Sequence, residues 1–155
     1  MSKKKNIVGI NMLEIYEAVT HADAEVMRGI RNSCRQYMTN NRNLIQSDEQ
    51  LEWFVMLDRG AMRPYLFVLG GTHVGYGIIK LDDGVGLLTG GLVPAYRGLG
   101  YGTQLFSLLI EECSRWNIPP ALEVLKTNDR AIVTYKKLGF AVISQTDKIY
   151  KMELL

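Results

Sequence analysis

The sequence predicts a single domain of the α/β (α+β) class, with a mixed, mostly antiparallel sheet flanked by helices on both faces. The chain has 155 residues, about the length of one domain. Apolar runs of strand length alternate along it with segments of helical periodicity. No internal repeat, low-complexity segment or linker rich in proline and serine interrupts this pattern. We therefore expect residues 1–155 to form one domain.

The composition is that of an ordinary globular protein, with 47% hydrophobic and 22% charged residues. The net charge of +2 is too small to indicate nucleic acid or an anionic membrane as an obligatory partner. No stretch reaches the ~20 apolar residues of a membrane span, and the start of the chain lacks a signal-peptide core. Cys34 and Cys113 lie in apolar helical stripes, so we expect buried free thiols and a reducing, cytoplasmic location.

The first third of the chain predicts one strand and two helices. "MLEIYEAV" (12–19) alternates in polarity, as a strand does. A helix is predicted from about Ala22 to Met38, because four apolar residues recur there at helical spacing: Met27, Ile30, Cys34 and Tyr37. Ser47 and Gln50 form a candidate capping box ahead of "LEWFVMLD", which predicts the second helix.

Three apolar runs bounded by glycine or charge follow: "YLFVLGG", "HVGYGIIKL" and "VGLLTGGLV". They predict three consecutive antiparallel strands, with "LDDG" as a hairpin turn. A glycine-rich turn then leads into a helix on which one face is apolar, formed by Leu105, Leu109, Cys113 and Trp116.

The end of the chain predicts a strand, a helix and two further strands. "ALEVLK" (121–126) is the strand, and "NDRAIVTYKKLGF" is a helix that Asn128 can cap and Gly139 can end. "AVISQT" and "KIYKMELL" then predict a closing strand pair.

The turn before the third helix contains a local conflict. Gly98, Gly100 and Gly102 alternate directly before the apolar helical pattern, although glycine costs about 1 kcal/mol relative to alanine inside a helix. Glycine allows a backbone to approach a ligand closely, and the first helical turn offers unpaired N–H groups and a positive dipole end. Arg97 can add a charge-assisted contact. These features favour a diphosphate site, with a purely structural turn as the alternative.

Two familiar phosphate motifs do not fit this turn. No Lys-Ser or Lys-Thr pair follows the glycines, so it is not a P-loop. Thr103 occupies the position of the third glycine in a dinucleotide-binding fingerprint, and the strands before the turn form an antiparallel meander.

"YRGLGYG" resembles the Arg/Gln-x-x-Gly-x-Gly signature of the GNAT superfamily of N-acetyltransferases. "LEVLKTNDRAIVTYKKLGF" (122–140) is similar to the second conserved segment of that superfamily, with Asn, Ala, Tyr and Gly-Phe in the usual order. The resemblance covers about residues 60–145, and the first part of the chain matches only in element order. It implies an acyltransferase that uses acetyl-CoA as co-substrate and requires no metal.

The resemblance also assigns binding roles. The backbones of Leu92 and Val93 would pair with the pantetheine arm like an extra strand, where the sheet splays. Asn128 would reach the same arm, a role compatible with its capping of the helix. The pyrophosphate would be held by the amides of the turn, from Gly98 through Leu99, Gly100, Tyr101 and Gly102 to Thr103.

Two residues are implied as catalytic. Tyr135 matches the family tyrosine that lies near the CoA sulfur, and a packed aromatic is the alternative. Glu123 matches the glutamate of "LEVR"-type strands in ribosomal-protein acetyltransferases, where it can act as base. This chain has Leu125 and Lys126 in place of the arginine and small residue found there, so a solvated strand glutamate stays open. With His21 and His73 isolated and no acetyl-enzyme cysteine supported, direct transfer to an amine is expected.

The acceptor is predicted to be a small-molecule amine. Arg28, Arg31 and Arg35 line one side of the first helix, either as a solvated face or as a grip on an acceptor phosphate or carboxylate. "IRNSCRQYM" and "SDEQLEWF" are similar to family members that acetylate amino groups of nucleotide-linked sugars. Peptide N-termini, other small amines and a non-catalytic acetyl-CoA-binding module remain alternatives, and a homodimer is open.

Overall fold

The computed structural model of the chain describes residues 12–154. Its seven strands and four α-helices are, in chain order, β1 (Glu14–Glu17), α1 (His21–Ser33), α2 (Ser47–Val55), β2 (Met62–Leu69), β3 (Thr72–Asp82), β4 (Val85–Leu92), α3 (Tyr101–Arg115), β5 (Pro120–Leu125), α4 (Asp129–Lys137), β6 (Phe140–Gln145) and β7 (Ile149–Leu154). Short 3₁₀ turns lie at Arg35–Tyr37 and Pro94–Tyr96. Within residues 12–154, no helix is long and apolar enough to cross a membrane.

The strands form one seven-stranded sheet in the order β1-β2-β3-β4-β5-β7-β6. Every neighbouring pair is antiparallel except β4 and β5, which run parallel because α3 connects them as a crossover. The predicted meander of β2 to β4 is confirmed, and its two-residue hairpin has positive φ at both Asp83 and Gly84. The predicted mixed, mostly antiparallel sheet is therefore the fold of the described residues.

Each face of the sheet has its own core. On one face, α3 and α4 pack against the sheet with buried side chains that include Phe67, Leu105, Leu109, Leu122 and Met152. On the other face, α1 and α2 enclose a second cluster: Ala18, Ala24, Met27, Ile30, Cys34, Phe54, Leu66 and Tyr76. Helices thus cover both faces, as the sequence predicts. A site that passes through the sheet is therefore lined by residues of both cores.

The first helix ends five residues earlier than predicted. α1 stops at Ser33, where the hydroxyl donates to the carbonyl of Ile30 at 2.6 Å. The N–H of Cys34 bonds to Arg31 O, three residues back, so the α-helical pattern gives way to the 3₁₀ turn at Arg35–Tyr37. Serine competes with helix hydrogen bonding in this way through its own hydroxyl.

The capping box of the second helix lies one residue earlier than predicted. Gln46 is the N-cap, and its N–H donates to the Glu49 carboxylate at 2.8 Å. Ser47 is instead within the first turn, and its hydroxyl donates to Glu25 on α1 at 2.8 Å. Gln50 is therefore not a capping residue, and it is buried.

Candidate functional site

A cleft opens where β4 and β5 separate. In the described part of the chain, their register comprises three pairs and ends at Leu88 and Leu122. Beyond this point the strands diverge, and a cleft of about 1040 Å³ runs between their carboxyl ends from one sheet face to the other. It is bordered by residues from both cores, including Tyr135 on α4 and Trp53 on α2. Ligands commonly bind at such a break in a sheet.

The glycine turn forms one end of this cleft. Gly98 and Gly100 have φ values of 76° and 90°, a region that side-chain-bearing residues rarely adopt. Gly100 is the N-cap of α3, so the unpaired N–H groups of the first helical turn begin here. A Cβ added at Gly100 or Gly102 would meet no protein atom within 4 Å, and both glycines border the cleft. The backbone at this helix end is therefore open to an anion.

Arg97, the predicted charged residue of this turn, borders the cleft, and its hydrogen bonds go to other parts of the chain. Its Nε donates to Leu92 O and its Nη2 to Ser33 O, both at 2.9 Å. The guanidinium also lies 5.2 Å from the ring centroid of Tyr37. These donors connect the end of α1 to the end of β4 and are not directed at the glycine turn.

A different arginine lies over the turn. Nη1 of Arg130, in the first turn of α4, is 3.5 Å from the position that a Gly98 Cβ would occupy. Arg130 is exposed and borders the cleft, as does Lys137 at the end of the same helix. Neither residue was predicted to lie at the site, because no local pattern connects α4 to a turn some thirty residues earlier. The "NDR" at the start of α4 was the available indication.

Alternate residues of β4 direct their backbone N–H and C=O groups towards the space between β4 and β5. The N–H of Gly86 donates to Pro119 O beside β5, so Gly90 and Leu92, which share its orientation, point into the splay. Val93 has the opposite orientation: its N–H donates to Val74 O at 2.9 Å, and its carbonyl accepts from Tyr96 at 3.0 Å. Leu92 thus faces the splay, with its carbonyl accepting from Arg97, and the Val93 N–H is engaged within the sheet. Gly90 has the same orientation as Leu92 and was not among the predicted residues.

Asn128 and Tyr135 place α4 at the wall of the cleft. Asn128 is the N-cap, with its Oδ1 accepting from the Ala131 N–H at 3.4 Å, and it borders the cleft. Tyr135 is buried between Phe106 and Phe140, whose rings meet it edge-on at centroid distances of 4.9 and 6.1 Å. The predicted cap is confirmed, and Tyr135 is both a packed aromatic and a residue of the cleft wall.

The Tyr135 hydroxyl is unpaired in the described part of the chain. Within residues 12–154 it makes no hydrogen bond, and no fully buried side-chain oxygen or nitrogen there lacks a partner. The Tyr135 oxygen therefore retains some accessible surface in the cleft that its side chain borders. Burial raises the pKa of Tyr135 far above its ordinary value, so the phenol keeps its proton at all physiological pH values.

Glu123 approaches the splay from the other face. Leu88 and Leu122 are register partners, and both are buried in the core beneath α3 and α4. One residue further along each strand, Thr89 and Glu123 therefore point to the opposite face, towards α1 and α2. Glu123 is exposed and borders the same cleft as Tyr135. The structure thus brings the two predicted catalytic side chains to one cleft.

The three arginines of the first helix bind backbone carbonyls of the segment between α1 and α2. Arg28 donates to Ile45 O and pairs with Glu25, Arg31 donates to the carbonyls of Asn41 and Asn43, and Arg35 donates to Arg42 O. Among the described residues, Arg31 borders the cleft, whereas Arg28 and Arg35 do not. Each of the three therefore binds a part of this loop, and their role at an acceptor stays a prediction.

Both cysteines are buried and free, as predicted. Burial raises the pKa of Cys113 to about 11, and its thiol lies in the core beneath α3. Cys34 borders the cleft, where its Sγ is 3.4 Å from both Leu92 O and Arg97 Nη2. No three side chains of the metal-binding type converge in residues 12–154.

Comparison with known proteins gives one family and one fold. The model of the acetyltransferase (GNAT) family matches residues 27–140. Among solved structures, the yncA protein of Salmonella typhimurium, solved with its cofactor acetyl-CoA, is similar with a TM-score of 0.75 and 21% identity over 93% of this chain and 94% of that chain. Spermidine N-acetyltransferase from Vibrio cholerae, in complex with CoA and spermine, gives 0.80 and 16% over 93% and 95%.

A ribosomal-protein-alanine N-acetyltransferase from Brucella melitensis is similar with a TM-score of 0.75 and 20% identity, over 92% of this chain and 99% of that chain. At these identities the similarity concerns the fold. No curated protein matches the chain in sequence.

Proposed function

The chain belongs to the GNAT acetyltransferase family, and from this premise we propose that it transfers the acetyl group of acetyl-CoA directly to a primary amine. The observation that carries the proposal is the cleft at the β4–β5 splay. It has an anion-accepting turn at one end and a protonated phenol and a carboxylate from opposite sheet faces in its middle. The two buried free thiols support a reducing, cytoplasmic location.

The residues at the turn fit acetyl-CoA. The open backbone from Gly98 to Thr103 would hold the diphosphate, with the guanidinium of Arg130 above it. The edge of β4 at Gly90 and Leu92, which β5 leaves unpaired, would hold the pantetheine arm together with Asn128, although Leu92 O already accepts from Arg97. When bound, acetyl-CoA supplies an activated acyl thioester and a thiolate leaving group.

Tyr135 is the proposed proton donor. Its phenol oxygen holds a proton because burial raises its pKa, and the rings of Phe106 and Phe140 fix its orientation. A proton at this atom can be donated to a thiolate leaving at the splay. Positioned acid–base groups of this kind contribute about 10²–10⁴-fold to a rate.

Glu123 is the proposed base on the acceptor side. A primary amine is mostly protonated at neutral pH, and only its neutral form attacks an acyl group. The exposed Glu123 carboxylate borders the cleft from the α1–α2 face, where it can take a proton from the amine directly or through water. The remaining gain comes from holding two reactants in one cleft.

A product and mass analysis tests direct transfer. The protein is incubated with acetyl-CoA and a panel of amines that includes a short peptide, and thiol release and acetylated products are followed. We expect acetylated amine, and no acetyl group on the protein when the amine is omitted. An acetylated Cys34, which borders the cleft, would replace direct transfer by a covalent route. Binding of acetyl-CoA without any acetylated product would favour a non-catalytic binding module.

A further inference from the structure

The part of the cleft on the α1–α2 face has an apolar wall beside its polar residues. We call it the acceptor end, and its apolar wall consists of Met27, Met38, Trp53, Tyr76 and Ile78. Met27 and Tyr76 are almost fully buried members of the core beneath α1 and α2, against which Met38, Trp53 and Ile78 pack. Flat and flexible apolar side chains in one wall are suited to an aromatic or similarly broad apolar group.

Charges of both signs border this end. Glu49 and Glu123 both border it, from α2 and β5. The cations that border it are Arg31, whose Nη atoms are bonded to the carbonyls of Asn41 and Asn43, and Lys80, an exposed residue of β3. Because the Arg31 donors are already bonded, a phosphate or carboxylate here would have Lys80, among the described residues, as its free cation and would meet two carboxylates, Glu49 and Glu123.

Gln50 adds a neutral hydrogen-bonding group at the far wall. It is 6% exposed, and it borders both the cleft and a smaller cavity of about 150 Å³ between α1 and α2. Within residues 12–154 its side-chain amide has no hydrogen-bond partner, yet no fully buried polar side-chain atom there is unpaired. The amide therefore faces open space, and a buried amide of this kind favours a ligand that can bond to it.

Resting on the proposed amine acetylation, we propose that the acceptor is a primary amine on a broad apolar body that ends in a neutral hydrogen-bonding group. The amine would lie at Glu123, the body along Trp53 and Tyr76, and the neutral group at Gln50. We expect this class to be preferred over nucleotide-linked amino sugars and free amino acids, whose phosphate or carboxylate would meet Glu49 and Glu123 and, within residues 12–154, could pair only with Lys80.

Matched amines test this class by binding, independently of turnover. Tyramine, phenethylamine, tyrosine and glucosamine 6-phosphate are titrated calorimetrically into the protein saturated with CoA. We expect tyramine to bind at least tenfold more tightly than tyrosine or glucosamine 6-phosphate, and about three- to tenfold more tightly than phenethylamine, the range of one hydrogen bond. Equal or tighter binding of tyrosine or the phosphorylated sugar would overturn the proposal.

Two variants assign the recognition to residues. Gln50→Leu should remove the preference for tyramine over phenethylamine, and Trp53→Ala should weaken the binding of both amines about tenfold. Val55→Ala, an exposed change on the same helix, is the matched control and should change neither. A preference for tyramine that survives in Gln50→Leu would remove Gln50 from the proposal.

The same amines then separate the two proposals through turnover. Binding in the expected order without acetylated product supports the acceptor class and overturns acetyl transfer. Acetylation of phosphorylated or carboxylated amines in preference to tyramine supports transfer and overturns the class.

Discussion

The two ends of the cleft are built from different parts of the chain. The end at Gly98–Thr103 consists mainly of backbone, in which two positive-φ glycines expose the first turn of α3. The acceptor end consists of side chains from α1, α2, β3 and β5, and loop carbonyls engage its arginine. A backbone site requires particular residues at particular positions, whereas a side-chain site depends on which elements the fold brings together.

Disrupting the backbone end should give the largest effect. Gly100→Val places a side chain at a φ of 90° and in the open space above the helix end, so acetyl-CoA binding should be abolished. The measurement is the rise in Tm on adding acetyl-CoA, which follows from binding to the folded state. Gly84→Val is the control, because Gly84 has a φ of 83° and does not border the cleft. An undiminished Tm rise in folded Gly100→Val would remove the turn from the cofactor site.

Tyr135 borders the same cleft, and we expect the loss of its hydroxyl to lower kcat even when its ring is kept. Tyr135→Phe keeps the contacts with Phe106 and Phe140 and removes the proton donor, so kcat should fall about ten- to a thousandfold. The Kd of acetyl-CoA should change little. Since burial raises the pKa of Tyr135, the wild type should show no alkaline loss of kcat from this phenol below pH 10. Tyr65→Phe, in the same core, is the control, and an unchanged kcat in Tyr135→Phe would leave Tyr135 a packing residue.

The acid limb of the rate profile should depend on Glu123. Glu123→Gln removes the proposed base, so kcat/KM should fall about ten- to a hundredfold at pH 7. The loss should shrink as the pH approaches that of amine deprotonation, where less base is needed. A pH–rate profile with one amine measures this, and Glu153→Gln on the neighbouring strand β7 is the control. A loss that is the same at every pH would indicate that Glu123 positions the acceptor and does not take its proton.

The sequence predicts the elements and the backbone end well, because their determinants are local. The glycine turn, the Asn128 cap and the hairpin at Asp83 each follow from what one or two residues allow the backbone to do. The contacts of Arg97 could not be predicted from the sequence, because its partners, Leu92 O and Ser33 O, come together only in the fold. For the same reason Arg130 was missed.

We expect Arg130 to be the cation that binds the acetyl-CoA diphosphate at the glycine turn. Arg130→Ala should raise the Kd of acetyl-CoA about five- to tenfold, and less at high salt because the side chain is exposed. Arg97→Ala should have a different consequence, since it removes the connection between α1 and β4 and lowers Tm in the absence of any ligand. Titration of acetyl-CoA into both variants at two salt concentrations makes the comparison. If Arg97→Ala lost more acetyl-CoA affinity than Arg130→Ala and kept its Tm, Arg97 would be the residue that binds the diphosphate.

Substitution of Arg31 should have the smallest effect on activity. The informative result is whether different amines lose catalytic efficiency equally. The guanidinium holds the carbonyls of Asn41 and Asn43, so Arg31→Ala should loosen the loop that precedes α2 and raise the acceptor KM about three- to tenfold. A loop effect acts on every acceptor, so tyramine and glucosamine 6-phosphate should lose catalytic efficiency in equal proportion, with the Kd of acetyl-CoA unchanged. If Arg31 instead bound an acceptor phosphate, the loss would be confined to the phosphorylated amine.

Arg28→Ala is the control, since Arg28 binds the same loop at Ile45 O without bordering the cleft. Equal losses in both variants would mean that loop order alone sets the acceptor KM, and a loss confined to Arg31→Ala would mean that the Asn41–Asn43 part of the loop shapes the acceptor end.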